Sequence, residues 1–528
     1  MKRRGRTLAS ALLALVCGVS LPLAAYGAVP YAQIEGTGST WSELIVQQWI
    51  ADVNANGMKV VYTGGGSTKG RKDFANNSVD FAISEIPYQG TDEQGQADTS
   101  QGRQYAYLPI VAGGTAFTYQ LKIGKQQVKN LRLSGETIAK IFTNQITNWN
   151  DPAIAKDNNG RKLPSLPIIP VVRSDGSGTT AQFTTWMDKQ YPSIWRAYFG
   201  RSGLTSYYPK KSGSRMVSQA GSDQVMNTIK GFSGNGMIGY VEYSYAINAD
   251  YPVVKVKNTA GYFVEPTQYN TAVALTQAKI NMDTTSQLYL TQNLDSVYTH
   301  KDPRAYPISS YSYMLLPVGA SDQRMSTAKR QTLADFMYYS LCTGQTKAGA
   351  YGYSSLPLNL VQAGFDQIAK LKAADPAVEL TDRDVKSCNN PTFDGKNLKR
   401  NLLAEKAPKP PECDKEGAGP CGSETGTGEP ATADTAAGAG DAPAAEAPAA
   451  EVDPVTGQDV PVAESGAVPV SGGTQDVYAS PDTLSADRAG DRRPFGWLVV
   501  LELLALVLLP GLLAAGLRRR MAARGAAR

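Results

Sequence analysis

Arg173-Ser174-Asp175-Gly176-Ser177-Gly178-Thr179-Thr180 stands between the apolar run Ile168-Ile169-Pro170-Val171-Val172 and the segment Ala181 to Met187. A short apolar run, a Gly/Ser turn and a helix-compatible segment spell strand, turn and helix in that order. A helix opening this way presents unpaired amides and a positive dipole end, and the glycines let an anion approach the backbone. The Ser and Thr side chains add hydroxyl donors at the cap. Arg173 supplies a permanently charged fork suited to an oxyanion, and Asp175, two positions on, is placed to orient that guanidinium.

The same order recurs upstream. Gly36-Thr37-Gly38-Ser39-Thr40 precedes Trp41, Leu44, Ile45, Gln48 and Trp49, which recur at helical spacing. Strand-like Lys59-Val60-Val61-Tyr62 leads through Thr63-Gly64-Gly65-Gly66-Ser67-Thr68 into a polar segment ending at Asn76. None of the three turns has the Gly-Lys-Ser/Thr ending of a nucleotide-hydrolysing loop or the complete dinucleotide fingerprint. Val79-Asp80-Phe81-Ala82-Ile83-Ser84 reads as a further strand that ends at Glu85. A carboxylate facing the anion repels a fully deprotonated ligand such as sulfate but accepts a hydrogen bond from one that keeps a proton.

Composition narrows the chemistry further. Within 528 residues there are one histidine, His300, and five cysteines, too few for a histidine-rich metal centre or a metal-dependent phosphatase. No enzymatic role, catalytic residue, metal site or cofactor is expected. Net charge is +5, but residues 422–487 carry acidic charges only. The basic residues of the middle region are interspersed with acidic ones, which argues against nucleic acid as a partner.

The ends read as targeting and anchoring segments. Lys2, Arg3, Arg4 and Arg6 precede an apolar stretch from Leu8 to Ala25, the pattern of a secretory signal over residues 1–28. Phe495 to Leu517 is apolar except for Glu502, and arginines follow it. At about 1.5 Å per residue this run crosses a hydrocarbon core of about 30 Å. The positive-inside rule then puts tail 518–528 in the cytoplasm and the remaining mass outside. The Ala/Pro/Gly-rich acidic stretch 422–491 has too little apolar surface to fold and is expected to be a disordered linker. Cys342, Cys388, Cys413 and Cys421 face an oxidising exterior; of three possible connectivities, Cys342–Cys388 with Cys413–Cys421 is preferred.

Taken with Ile146-Thr147-Asn148-Trp149-Asn150-Asp151 and Gly239-Tyr240-Val241-Glu242-Tyr243, these motifs make the chain resemble the phosphate-binding proteins of the high-affinity phosphate ABC transporter, from about Tyr31 to about Ala373. The resemblance implies an α/β, two-lobed periplasmic binding-protein fold of type II with a hinge. It implies lobe one at 29–115 and 265–375, lobe two at 116–264, and hinge strands near 112–117 and 264–267. It also implies a phosphate site made by Thr40 and Ser67, the backbone at Trp41, the charge of Arg173, and donors from Ser177, Gly178 and Thr179. Asp175 would steady the arginine, and Glu85 would accept the ligand's proton. The family usually has Asp where Glu85 stands and Phe where Trp41 stands. Residues 376–421 would be an appended, disulfide-stapled extension of the 29–375 module.

The expected function is capture of inorganic phosphate at the outer face of the cell membrane by a single-pass, monomeric receptor that delivers it to ABC permease subunits. The alternative is a surface phosphate sensor or adhesion protein using the same fold.

Overall fold

The structure, a computed structural model, describes residues 31–382 and 384–421. The signal segment 1–28, linker 422–491, span 495–517 and tail 518–528 lie outside the described residues. Among the described residues no helix is long and apolar enough to cross a membrane.

Eight strands form the main sheet: β1 (Ile34–Gly38), β2 (Val60–Gly64), β3 (Phe81–Ser84), β4 (Tyr105–Tyr119), β5 (Ile169–Arg173), β6 (Val217–Gln219), β7 (Met237–Glu242) and β8 (Ser309–Pro317). Their order is β6-β5-β7-β4-β8-β3-β1-β2. Strand β3 and strand β7 are buried at every position, which is why they read as near-continuous apolar runs rather than as alternations.

The long strand β4 joins two half-sheets. Its C-terminal part pairs antiparallel with β7, from Thr115↔Glu242 to Tyr119↔Ile238. Its N-terminal part pairs antiparallel with β8, from Gly114↔Ser309 to Tyr105↔Pro317. The partner strands change between Gly114 and Thr115, inside the stretch expected to hinge. The β4–β8 register shifts between Ser312↔Val111 and Tyr313↔Pro109, leaving Ile110 of β4, next to Pro109, as the bulged residue. Proline has no N–H for the ladder, and a bulge accommodates it while re-aiming the neighbouring side chain.

Within each half-sheet the turn-bearing strands run parallel: β1 with β2 and β3, β5 with β6 and β7. Parallel neighbours need crossovers, and helices supply them. The three expected turn–helix units are present, with α1 at Glu43–Asn54, α2 at Ser67–Ala75 and α3 at Gly178–Gln190. Helix α1 buries Ile45, Val46, Trp49 and Val53, a single helical face, and Trp49 Nε1 donates to Gly344 O at 3.0 Å. A fourth turn opens α4 (Gly221–Lys230) after β6; α5 (Thr327–Leu341) and α6 (Leu358–Ala374) complete the helices used below.

In one half, Phe117 of β4 packs with Phe142 and Phe183, which pack in turn with Tyr240, ring centroids 5.1–5.7 Å apart. The Asn148-Trp149-Asn150-Asp151 motif serves this half: Trp149 Nε1 donates to Gly236 O at 3.0 Å, and Asp151 caps a short helix by accepting from Ala153 N at 2.8 Å. Both preferred disulfides, Cys342–Cys388 and Cys413–Cys421, are formed.

Candidate functional site

In a parallel half-sheet, the turns after the strands emerge at the C-terminal edge. The β1–α1, β2–α2 and β5–α3 turns and Glu85, just past β3, therefore converge where the half-sheets meet. Two close approaches fix how tightly. A Cβ on Gly178 would stand 2.0 Å from Glu85 Oε2 and 2.4 Å from Ser67 Oγ. Gly66 has φ +89°, and a Cβ there would stand 2.5 Å from Asp175 Oδ2. Side chains at these two positions would hold the halves apart. Thr68 N–H donates across the same junction to Gly176 O at 3.0 Å.

Glu85 is 1% exposed and its carboxylate is ringed by hydroxyls. Ser67 Oγ donates to Oε2 at 2.6 Å and Ser312 Oγ to Oε1 at 2.8 Å, while Ser39 Oγ also donates to Oε1. Ser39 Oγ in turn accepts from Trp41 N at 3.0 Å. The Trp41 ring packs edge-on against Tyr353 at 5.8 Å, so its side chain is a packing element and its backbone is what faces the turn.

Arg173, 2% exposed, is held on three sides. Nε donates to Asp175 Oδ1 at 2.7 Å, Nη2 pairs with Asp175 Oδ2, and Nη1 donates to Ser222 Oγ at 3.2 Å. Asp175 Oδ1 also accepts from Gly221 N at 3.1 Å. Burial alone would lower the arginine's pKa, but the hydrogen bonds and charge of Asp175 outweigh it and leave the pKa raised. The guanidinium is thus a fixed positive charge. Tyr240, from the Gly239-Tyr240-Val241-Glu242-Tyr243 motif, steadies both elements here: its hydroxyl accepts from Arg173 N at 3.2 Å and bonds Thr180 Oγ1 at 2.7 Å.

Thr40 Oγ1 lies 3.0 Å from Ser222 Oγ and accepts from Ser222 N at 3.2 Å, which links the first turn to the arginine. At the head of α3, Ser177 Oγ accepts from Thr180 N at 3.1 Å, while Ser177 N–H is committed to Ser206 O at 2.9 Å. Ser177 therefore has a hydroxyl rather than an amide to offer. The amides of Gly178 and Thr179 lie in the first turn, where the helix provides no carbonyl partner.

Thr40, Trp41, Ser67, Glu85, Arg173, Asp175, Ser177, Gly178 and Thr179 thus lie around one junction. Three further side chains belong with them and were not singled out from the sequence. Ser39 lies inside the first turn. Ser222 follows Gly221 at the start of α4, a fourth Gly–Ser helix start with the same local pattern as the other three. Ser312 had no local signal, because only the antiparallel pairing of β8 with β3, Tyr313 opposite Ser84, sets it beside a carboxylate 227 positions away.

A family model described as the PBP superfamily domain matches residues 24–343. The phosphate-binding protein PstS of Methanocaldococcus jannaschii is 31% identical over 345 residues, covering 64% of this chain and 86% of that protein. PstS of Xylella fastidiosa is 30% identical over 331 residues, covering 62% and 83%. A solved phosphate-binding protein from Stenotrophomonas maltophilia is 17% identical with a TM-score of 0.47, covering 69% of this chain and 98% of that one.

Proposed function

This chain belongs to the PBP superfamily and, within it, to the phosphate-binding substrate-binding proteins of phosphate ABC transport, and from that membership we propose that it captures inorganic phosphate between its half-sheets and passes it to membrane permease subunits. One observation supports the ligand most directly. A fixed guanidinium and a hydroxyl-ringed buried carboxylate share a junction with three glycine-rich helix starts.

Opposite demands meet there. Arg173 and the α3 amides attract negative charge, whereas Glu85 repels it unless a proton lies between. Hydroxyl groups can turn to donate to either neighbour. When hydrogen phosphate enters, the ligand O–H donates to Glu85 and the hydroxyls of Ser39 and Ser67 are freed to donate to phosphate oxygens. Sulfate brings no proton at neutral pH, so one of its oxygens would face the carboxylate unscreened. An unmatched buried acceptor costs about 1–3 kcal/mol, more when charged.

Closure about β4 near 112–117 and the chain near 264–267 would bring 29–115 with 265–375 against 116–264 and replace the ligand's hydration by these fixed donors. Calorimetry on anion-stripped protein with phosphate, arsenate, sulfate and molybdate tests the reading: phosphate is expected to bind and sulfate to be excluded. Glu85→Gln replaces a carboxylate oxygen with an amide donor, and is expected to narrow the phosphate-over-sulfate preference by about 10- to 100-fold. Equal binding of both anions by the unsubstituted protein would refute phosphate selection.

We also propose, from sequence alone, that residues 1–28 direct export and Phe495 to Leu517 anchors the chain, with 422–491 as tether. An anchored receptor stays at high local concentration beside its permease. The full chain is expected to resist alkaline extraction from membranes, and a chain ending at residue 491 to be released; recovery of the full chain in the soluble fraction would reject the anchor.

A further inference from the structure

The family match ends at residue 343, yet residues 384–421 are packed against both halves. Their first attachment is to the half that carries β1, β2, β3 and β8. Cys388 is bonded to Cys342 just past α5, and Asn390 Nδ2 donates to Leu356 O at 3.0 Å. Arg304 Nη1, at 3.1 Å, donates to the carbonyls of both Ala404 and Ala407.

The far attachment is to a small sheet built from Arg132–Leu133, Lys255–Lys257 and Phe263–Val264, on the side of the other half. Lys255 Nζ pairs with Asp414 Oδ2 at 2.7 Å, Lys257 Nζ with Glu416 Oε1 at 2.8 Å, and Arg132 Nη1 donates to Cys413 O at 2.9 Å. Asp414 is 3% exposed, so its ion pair is screened far less than a surface pair. The Cys413–Cys421 loop ends with Cys421 O accepting from Asn130 Nδ2 at 2.7 Å.

Between the two attachments runs Ala407-Pro408-Lys409-Pro410-Pro411-Glu412. Ala407 (φ −55°, ψ 127°) and Pro411 (φ −63°, ψ 148°) are extended, and three prolines in six residues make a stiff spacer of about 3.1 Å per residue with little slack.

We propose that residues 376–421 form a third, inextensible crossing between the halves, which confines how the cleft opens, and that Asp414 is the positioning residue that holds its far end. Two hinge segments allow both bending and twisting. A stiff third connection beside them removes twisted open states, so closure on a ligand gives up less conformational entropy and the ligand is held longer. The inference depends on the phosphate reading only for its second readout.

The test uses the full chain in detergent. Spin labels on keto amino acids at exposed Gln94, in segment 29–115, and exposed Arg201, in segment 116–264, report the interlobe distance distribution without disturbing the disulfides. Phosphate release is followed by stopped-flow fluorescence. Pro410→Gly with Pro411→Gly slackens the spacer and leaves both attachments; Asp414→Ala with Glu416→Ala removes the two ion pairs and loosens the far end, leaving the carbonyl contacts of Arg132 and Asn130. Each is expected to broaden the ligand-free distribution about twofold and to speed phosphate release about fivefold, with Asp414→Glu restoring both. Unchanged distributions in the slackened variant overturn the proposal, and that variant decides alone if the other fails to fold. If phosphate does not bind the unsubstituted protein, the ligand reading fails, while the distances still decide the crossing.

Discussion

Arg173→Ala is expected to lower phosphate affinity by about 10³-fold or more, the largest loss from any single substitution at the site. The guanidinium is buried and satisfied by Asp175 and Ser222, so it is a preorganised charge that pays no ordering cost on binding. Its removal has two effects. A charge-assisted hydrogen bond worth about 1.5–3 kcal/mol is lost, and Asp175 is left as an uncompensated carboxylate beside the anion, a penalty of similar or larger size. Together, about 4 kcal/mol corresponds to roughly a thousandfold. Arg173→Lys keeps the charge but cannot donate to Asp175 through two nitrogens and still reach Ser222, so it is expected to recover only part of the loss. Calorimetry on both variants, with circular dichroism to verify folding, checks this. Near-normal affinity in a folded Arg173→Ala protein would remove Arg173 from the site.

Gly178→Ala is expected to weaken phosphate binding by about 10²-fold through geometry rather than charge, since a misplacement of about 1 Å suffices for such a loss. The added methyl would stand 2.0 Å from Glu85 Oε2 and 2.4 Å from Ser67 Oγ. The halves must then stay apart, or Glu85 must leave its hydroxyl ring. Alanine is well tolerated early in a helix, so the stability of the separated halves should change little. Small-angle scattering gives the decisive comparison: the unsubstituted protein should contract on adding phosphate, and the variant should contract less or not at all. Full contraction with unchanged affinity would mean that the approach of Gly178 to Glu85 is not part of binding.

A second buried acid, Glu242, ends β7. It caps the turn after β7 by accepting from Ser244 N at 2.6 Å, and burial pushes its carboxyl well above the usual range. It stands opposite Thr115, beside the point where β4 changes partner strands.

The three turn–helix units were legible in the sequence because their cause is local. Glycines, cap hydroxyls and one apolar helical face all act within about ten residues. Glu85 was legible as a candidate because the strand before it reads clearly. The ring of hydroxyls around it was not, since Ser39, Ser67 and Ser312 come from three different elements. The extension was legible only as a cysteine-bearing appendage, with no sign that it spans both halves.

By itself the sequence determined the turn–helix units at the three Gly/Ser turns, which helix starts offer amides, and which charge accompanies them, because propensity and capping are short-range. Only the tertiary structure decided that Ser312 reaches Glu85, that Ser222 braces Arg173, and that Asp414 meets Lys255. Those contacts depend on strand register and the route of a stiff proline segment, and such long-range constraints are set by packing of the whole chain rather than by neighbouring residues.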